Sequence, residues 1–282
     1  MTQPPIVVVA RLTLKEAIRR KIVIGALLLG AVFLVVFGLG LYFVQQDMVR
    51  TGFYGNVMVR NQMYNFMTLS GLYVVNILYS AITVLVAVDT LSGEIASGTI
   101  HTLAAKPVRR WEILLGKWAG FALMLTLYLG LMGGGVMALA GGILGLRLHN
   151  AARGLALMWL NGMVLLAVTL LGGTLLSTLA NGVVAFALFA VAVIGGWIEQ
   201  IGSFVESQAA VNVGIVSSLL IPTEALWRRA AYEMRSVVVD MIGFSPFTSS
   251  SSVPSAAMIA YAVAYALIVL ALAVWRFERR DL

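Results

Sequence analysis

Side chains able to do chemistry are few in this sequence, and most crowd into residues 89–117, DTLSGEIASGTIHTLAAKPVRRWEILLGK. Asp89, Glu94, His101, Arg109, Arg110, Glu112 and Lys117 stand there among Ser, Thr and Gly, between long apolar runs. Elsewhere His149 stands alone, and Glu199 and Glu206 lie near the end of an apolar run. None of these forms a catalytic constellation. Neither H-E-x-x-H nor G-x-S-x-G occurs. Gly116-Lys117 is followed by Trp118 and lacks the upstream glycine of a Walker loop, so it cradles no phosphate. There is no cysteine, hence no disulfide or thiolate metal site. His101 and His149 fall on opposite sides of the topology given below, which argues against a shared metal. Glu199 and Glu206 are read as headgroup-level residues rather than the lining of a polar path. The polar stretch is therefore expected to be a handle for a soluble partner, and energy to enter through that partner.

The elements that must position this handle are membrane helices. Of 282 residues, 61% are hydrophobic and 11% charged, against roughly a quarter charged in soluble domains. Several apolar runs reach about 20 residues, enough to cross a ~30 Å hydrocarbon core as a helix. The expected fold is an all-α membrane protein with six transmembrane helices, forming a single domain over residues 1–282. The net charge of +7 comes from short Lys/Arg clusters beside the spans, which fits orientation signals and anionic lipid rather than nucleic acid.

Residues 1–21 are predicted to form an interfacial amphipathic helix. Val7, Ala10, Leu14, Ala17 and Ile18 recur on one face, and Arg11, Lys15 and Arg19 on another, with Glu16 four before Arg20. Arg11, Lys15, Arg19 and Arg20 are the expected membrane-surface residues. Spans are expected at about 22–44, 68–88, 118–144, 155–179, 183–197 and 256–275. Residues 45–67 would then be a polar outer loop, and 180–182 a tight hairpin. Arg19–Lys21 and Arg276, Arg279 and Arg280 place both termini in the cytoplasm. Residues 198–255 read as an outer re-entrant and amphipathic region: an apolar helix through 211–221, then one after Pro222 with Leu226, Ala230, Met234, Val237 and Met241 on one face, Glu224 pairing with Arg228 on another, and a Ser-rich linker at 248–252. A seventh span through 203–221 is the alternative, made costly by Glu206, Gln208 and Asn212. The Gly130-x-x-x-Gly134 and Gly141-x-x-x-Gly145 spacings are expected to serve close packing within the chain.

Within 89–117, Gly93 and Gly98 permit turns, Ser92 and Thr99 are candidate caps, and Pro107 suits the first turn of a new helix. Arg109 and Arg110 at that helix start oppose its dipole, so they are expected to serve a partner or lipid phosphate.

Gly93-Glu94, Ser97-Gly98-Thr99, Leu103, Pro107, Arg109 and Ile113-Leu114-Leu115-Gly116-Lys117 together resemble the segment after the second span in type-2 permeases of ATP-binding-cassette transporters. The nearest look-alikes are permeases serving nitrous-oxide-reductase maturation and multidrug or antibiotic exporters. Pro222-Thr223-Glu224-Ala225-Leu226-Trp227-Arg228 also resembles an element at that place in such proteins. The resemblance implies a cytoplasmic coupling helix in 89–117, with Glu94, Ser97, Gly98, Thr99, Leu103, Pro107, Arg109 and Arg110 meeting an ATPase groove. It implies a non-catalytic subunit in the cytoplasmic membrane of a prokaryote. Two ATPase copies would bind ATP and Mg, and a second permease, identical or sister, would pair with this one. This chain would hold no cofactor. Rival readings are a mechanotransmission scaffold without transport, and a membrane-integral lipid enzyme. The latter needs ionisable residues gathered at one depth, which the spans do not display.

Overall fold

The computed structural model describes residues 4–51, 55, 57–96, 109–235 and 253–279, with only the backbone at 91, 92 and 94–96. Among the described residues 91% are helical and none lies in a strand. Chain order gives α1 (Pro5–Arg19), α2 (Lys21–Arg50), α3 (Val57–Ala96), α4 (Arg110–Leu139), α5 (Ala151–Leu175), α6 (Thr178–Phe204), α7 (Gln208–Leu220), α8 (Thr223–Met234) and α9 (Ala256–Glu278). Six of these, α2 to α6 and α9, are long and apolar enough to cross a membrane.

Pro5 opens α1 at the position where a missing amide donor costs nothing. Arg20, extended at φ −68° and ψ 133°, separates α1 from α2. The face α1 turns to the protein centres on Val9, Thr13 and Ala17; of the expected stripe Ala17 is buried and Leu14 packs against the core, while Val7 and Ile18 stay exposed. Small partners decide this register. A Cβ on Gly116 of α4 would meet Val9 Cβ at 2.6 Å, and one on Gly120 would meet Ala10 O at 2.7 Å. The α1 backbone therefore lies directly on α4, as small residues allow.

Most of the expected outer loop at 45–67 is helical, because α2 runs to Arg50 and α3 begins at Val57. Of its polar residues Asn65 is buried, whereas Asp47 and Arg50 stay exposed and Arg60 is half-buried. At 40 residues, α3 is about 60 Å long, well beyond a ~30 Å core. It passes straight through Gly93, so no turn forms there. The α5–α6 hairpin sits at Leu176–Ser177, earlier than expected, and Asn181 is buried inside α6 rather than in a loop. Gly130 and Gly134 meet nothing within 4 Å, and Gly141 only Leu146 O at 3.7 Å, so the expected intrachain packing there is absent. A π-helical turn, Ala140–Leu144, ends α4, followed by Gly145 at φ 67°.

Along the end of α6, α7 returns antiparallel. Gly202 abuts Ala210, Gly214 abuts Glu199, and Gly195 abuts Ser217. With 13 residues, α7 rises only about 20 Å. The chain then bends by 105° into α8, which crosses to the start of α5, where Met234 fills the space beside Gly154. Positions 237, 241 and 248–252 lie outside the described residues. The core is centred on α3, α4 and α5, with Leu72, Tyr79, Phe121, Val164 and Leu166 fully enclosed. By contrast α2 and α9 show mostly apolar, exposed side chains such as Leu28, Val35, Leu267 and Ile268.

Candidate functional site

The polar handle leaves from the end of α3 and re-enters at the start of α4, so its anchors are central helices. Ser97, Gly98, Thr99, His101, Leu103 and Pro107 lie outside the described residues; Glu94 is placed by backbone alone in the last turn of α3. Arg109 is the N-cap of α4, and its amide donates to Glu112 Oε2 at 2.8 Å. Glu112 thus supplies the negative charge a helix start favours. Arg110 Nη1 reaches Glu278 O in the last turn of α9 at 3.4 Å.

Further bonds gather other elements around the end of α3. Arg20, half-buried, holds Glu16 at 2.6 Å as expected and also donates to Val86 O at 3.4 Å. Arg11, Lys15 and Arg19 are exposed, clear of that contact. Asn181 Nδ2 donates to Val88 O at 3.3 Å and to Thr169 O at 3.0 Å, locking the α5–α6 hairpin to α3. Thr178 Oγ1 donates to Asp89 Oδ1 at 3.4 Å. Thus the α1–α2 joint and α6 are bonded to α3, and α4 to α9, near where the handle departs.

In mid-bundle, Asn161 Nδ2 of α5 donates to Asn76 Oδ1 at 2.9 Å and Ser80 Oγ at 3.2 Å on α3. Amide pairs of this kind hold two helices in one register without charge.

One turn further along α3, beside Tyr73, lies an ionisable group that sequence reasoning did not assemble. Arg228 of α8 grips Glu199 of α6 through both guanidinium ends, Nη1–Oε1 at 2.7 Å and Nη2–Oε2 at 2.8 Å. Arg228 is 1% exposed and Glu199 5%. Such bidentate geometry is the strong form of the interaction. Both bonds from Arg228 go to Glu199, which is buried against α8, while Arg228 acts by charge on its expected partner Glu224. Glu224 is itself 1% exposed; its Cγ lies against Gly196, and Oε1 has no hydrogen-bond partner among the described residues. Burial pushes this carboxyl, outside the six spans, up to about 8, against the pull of Arg228. From α3, Tyr73 OH accepts Trp197 Nε1 at 3.2 Å, and its ring lies 5.2 Å from that of Trp227. The sequence signal was present in Glu199, Glu224 and Arg228, but only the α7 return brings them together. Being enclosed, the trio offers no base or nucleophile to a substrate. Among the described residues no group of His, Asp and Glu could hold a metal.

The family described as ABC-2 family transporter protein matches residues 7–282 of this sequence. The chain belongs to that family. A relative from Stutzerimonas stutzeri, described as a probable ABC transporter permease protein NosY, is 38% identical over 96 residues. That match covers 34% of this chain and only 33% of the relative. For an ABC-2 protein, the long helix α3 becomes the element of interest, since it leads into the handle, carries Asn76 of the amide pair and meets Trp197 and Trp227 beside the buried charges.

Proposed function

We propose that this chain is the permease subunit of an ABC transporter. A separate ATPase subunit drives it through the 89–117 segment, and a substrate is exported across the cytoplasmic membrane of a prokaryote. The segment faces the cytoplasm, as do both termini, and Glu94, Ser97, Gly98, Thr99, Leu103, Pro107, Arg109 and Arg110 form the docking element. ATP and Mg belong to the partner, present in two copies, and a second permease, identical or sister, completes the pore. The basic face of α1, with Arg11, Lys15 and Arg19, rests on lipid headgroups.

Family membership supports the class, and the relative's printed description supports the permease role. The carrying observation is that α3 runs unbroken from Val57 to Ala96. A force applied at its handle end displaces a helix whose other half packs against Trp197 and Trp227, some 35 Å away at 1.5 Å per residue. Packed cores respond to such displacement by switching between arrangements, not by deforming continuously. The test is ATP-driven flux in proteoliposomes holding the chain with its co-purified ATPase. Glu94→Ala and Gly98→Trp should abolish flux while the protein still inserts. Unaltered flux in both would remove the docking role, and a complex without nucleotide hydrolysis would overturn the class. Hydrolysis coupled to no flux of any cargo would favour mechanotransmission.

A further inference from the structure

Arg228 faces two buried carboxylates, Glu199 and Glu224. Both guanidinium ends go to Glu199, and Nη2 also approaches Ser218 Oγ at 3.4 Å. Glu224 stands four residues before Arg228 on α8, the spacing at which helix side chains meet. It is equally buried, seated in the slot that Gly196 leaves by lacking a Cβ. One guanidinium neutralises one carboxylate. A second ionised carboxylate in this enclosure would be uncompensated, a cost of several kcal/mol that protonation removes.

Among the described residues the neighbours offer no other counter-charge. Facing the trio, α3 brings the Tyr73 hydroxyl, α6 brings Trp197, and α7 brings Ser217 and Ser218, all neutral. On the far side of α8, Arg229 is held by Glu233 at 2.7 Å, and Arg153 of α5 lies 3.9 Å from the same carboxylate. Gln200, one turn beyond Gly196 on the same face of α6, is fully buried with neither amide atom hydrogen-bonded among the described residues. Buried amides are rarely left so.

We infer that Glu199, Glu224 and Arg228 form a one-proton latch, in which the proton rests on Glu224 while Arg228 holds Glu199, and the two exchange when α8 shifts against α6. In the exchange the guanidinium moves to Glu224. The Glu224 O–H bond breaks, its proton passes to the Glu199 carboxylate, and a new O–H bond forms there. Each end state is neutral overall, with one ion pair and one carboxylic acid, so no net charge is stranded in the bundle. The ligand of this site is a proton, and its position reports the position of α8.

The absence of cysteine makes the test direct. Thr223→Cys places a thiol at the first residue of α8, where the native side chain is 1% exposed. Maleimide labelling of the full chain in membranes then reads the opening of α8. Adding Glu199→Gln leaves Glu224 as the only anionic partner for Arg228, and labelling should rise about tenfold or more, the equivalent of ~1.4 kcal/mol. Adding Glu224→Gln mimics the protonated state and should leave labelling slow. Infrared spectra of the otherwise unaltered chain should carry a protonated-carboxyl band that Glu224→Gln removes. Equal labelling in the Glu199→Gln and parent backgrounds would overturn the latch. So would a band that survives Glu224→Gln, a comparison that decides alone if Glu199→Gln does not fold.

Discussion

Docking of α1 on α4 rests on Gly116 and Gly120, and its strength can be worked from the space at each. In Gly120→Ala the new methyl would lie 2.7 Å from Ala10 O and 2.8 Å from Thr13 Cβ. Carbon contacts are comfortable at about 3.5–4.0 Å, so α1 must retreat by roughly 1 Å. One obstacle is a backbone carbonyl and the other a β-branched Cβ, and neither rotates away. Overpacking of this kind costs about 1–3 kcal/mol, against up to ~1 kcal/mol that Ala gains over Gly in a helix. The net expectation is up to ~2 kcal/mol against docking, a factor of up to about 30 in the undocked population. Hydrogen exchange of the α1 amides should accelerate by that factor, as it should in Gly116→Ala, where Val9 Cβ is 2.6 Å and Ile6 O 3.0 Å away. Gly130→Ala is the internal control: same helix, nothing within 4 Å, hence unchanged or slower exchange. Equal exchange in all variants would refute the reasoning that glycines set the α1 register.

Other perturbations probe the remaining joints. Asn181→Ala leaves Thr169 O and Val88 O without their side-chain donor and should lower stability by about 1–3 kcal/mol, read as a lower Tm in detergent. Either Glu199→Leu or Arg228→Met alone should cost about 3–5 kcal/mol, while the double variant recovers most of it; additive losses in the double-mutant cycle would contradict a coupled pair. The raised Glu224 carboxyl also gives a pH signature. An unfolded Glu loses its proton near about pH 4.3, whereas the native group keeps it up to about 8. In that window the native state binds the extra proton, so stability falls as pH rises and levels off above it. Glu224→Gln should flatten this slope in Tm, and an identical slope in both proteins would contradict the buried protonation.

The bundle was legible because apolar length needs no tertiary information: runs near 20 residues become spans wherever they pack. The Glu16–Arg20 pair was legible for a similar reason, being set by helix spacing alone. What failed was local punctuation overruled by packing. Asn181-Gly182 reads as a turn, yet Asn181 sits inside α6, where its amide donates to carbonyls of α3 and α5. Gly93 also reads as a turn, but the helix carries on through it. Glu199 and Arg228 are 29 residues apart, and nothing local distinguishes that pairing from Glu224–Arg228; the glycine-lined return of α7 along α6 decides it. The same applies to α1, whose hydrophobic face looked broader than the Val9–Thr13–Ala17 strip that meets α4.

The most direct test of the central proposal is a cross-link from the handle to the motor. Leu103→Cys in this cysteine-free chain, co-expressed with its ATPase subunit, should form a bismaleimide adduct with that subunit, and ATP should change its yield. In sealed cells the same thiol should be shielded from membrane-impermeant maleimide added outside. A position 103 thiol that labels from outside, or that never joins the ATPase under any nucleotide condition, would contradict the account.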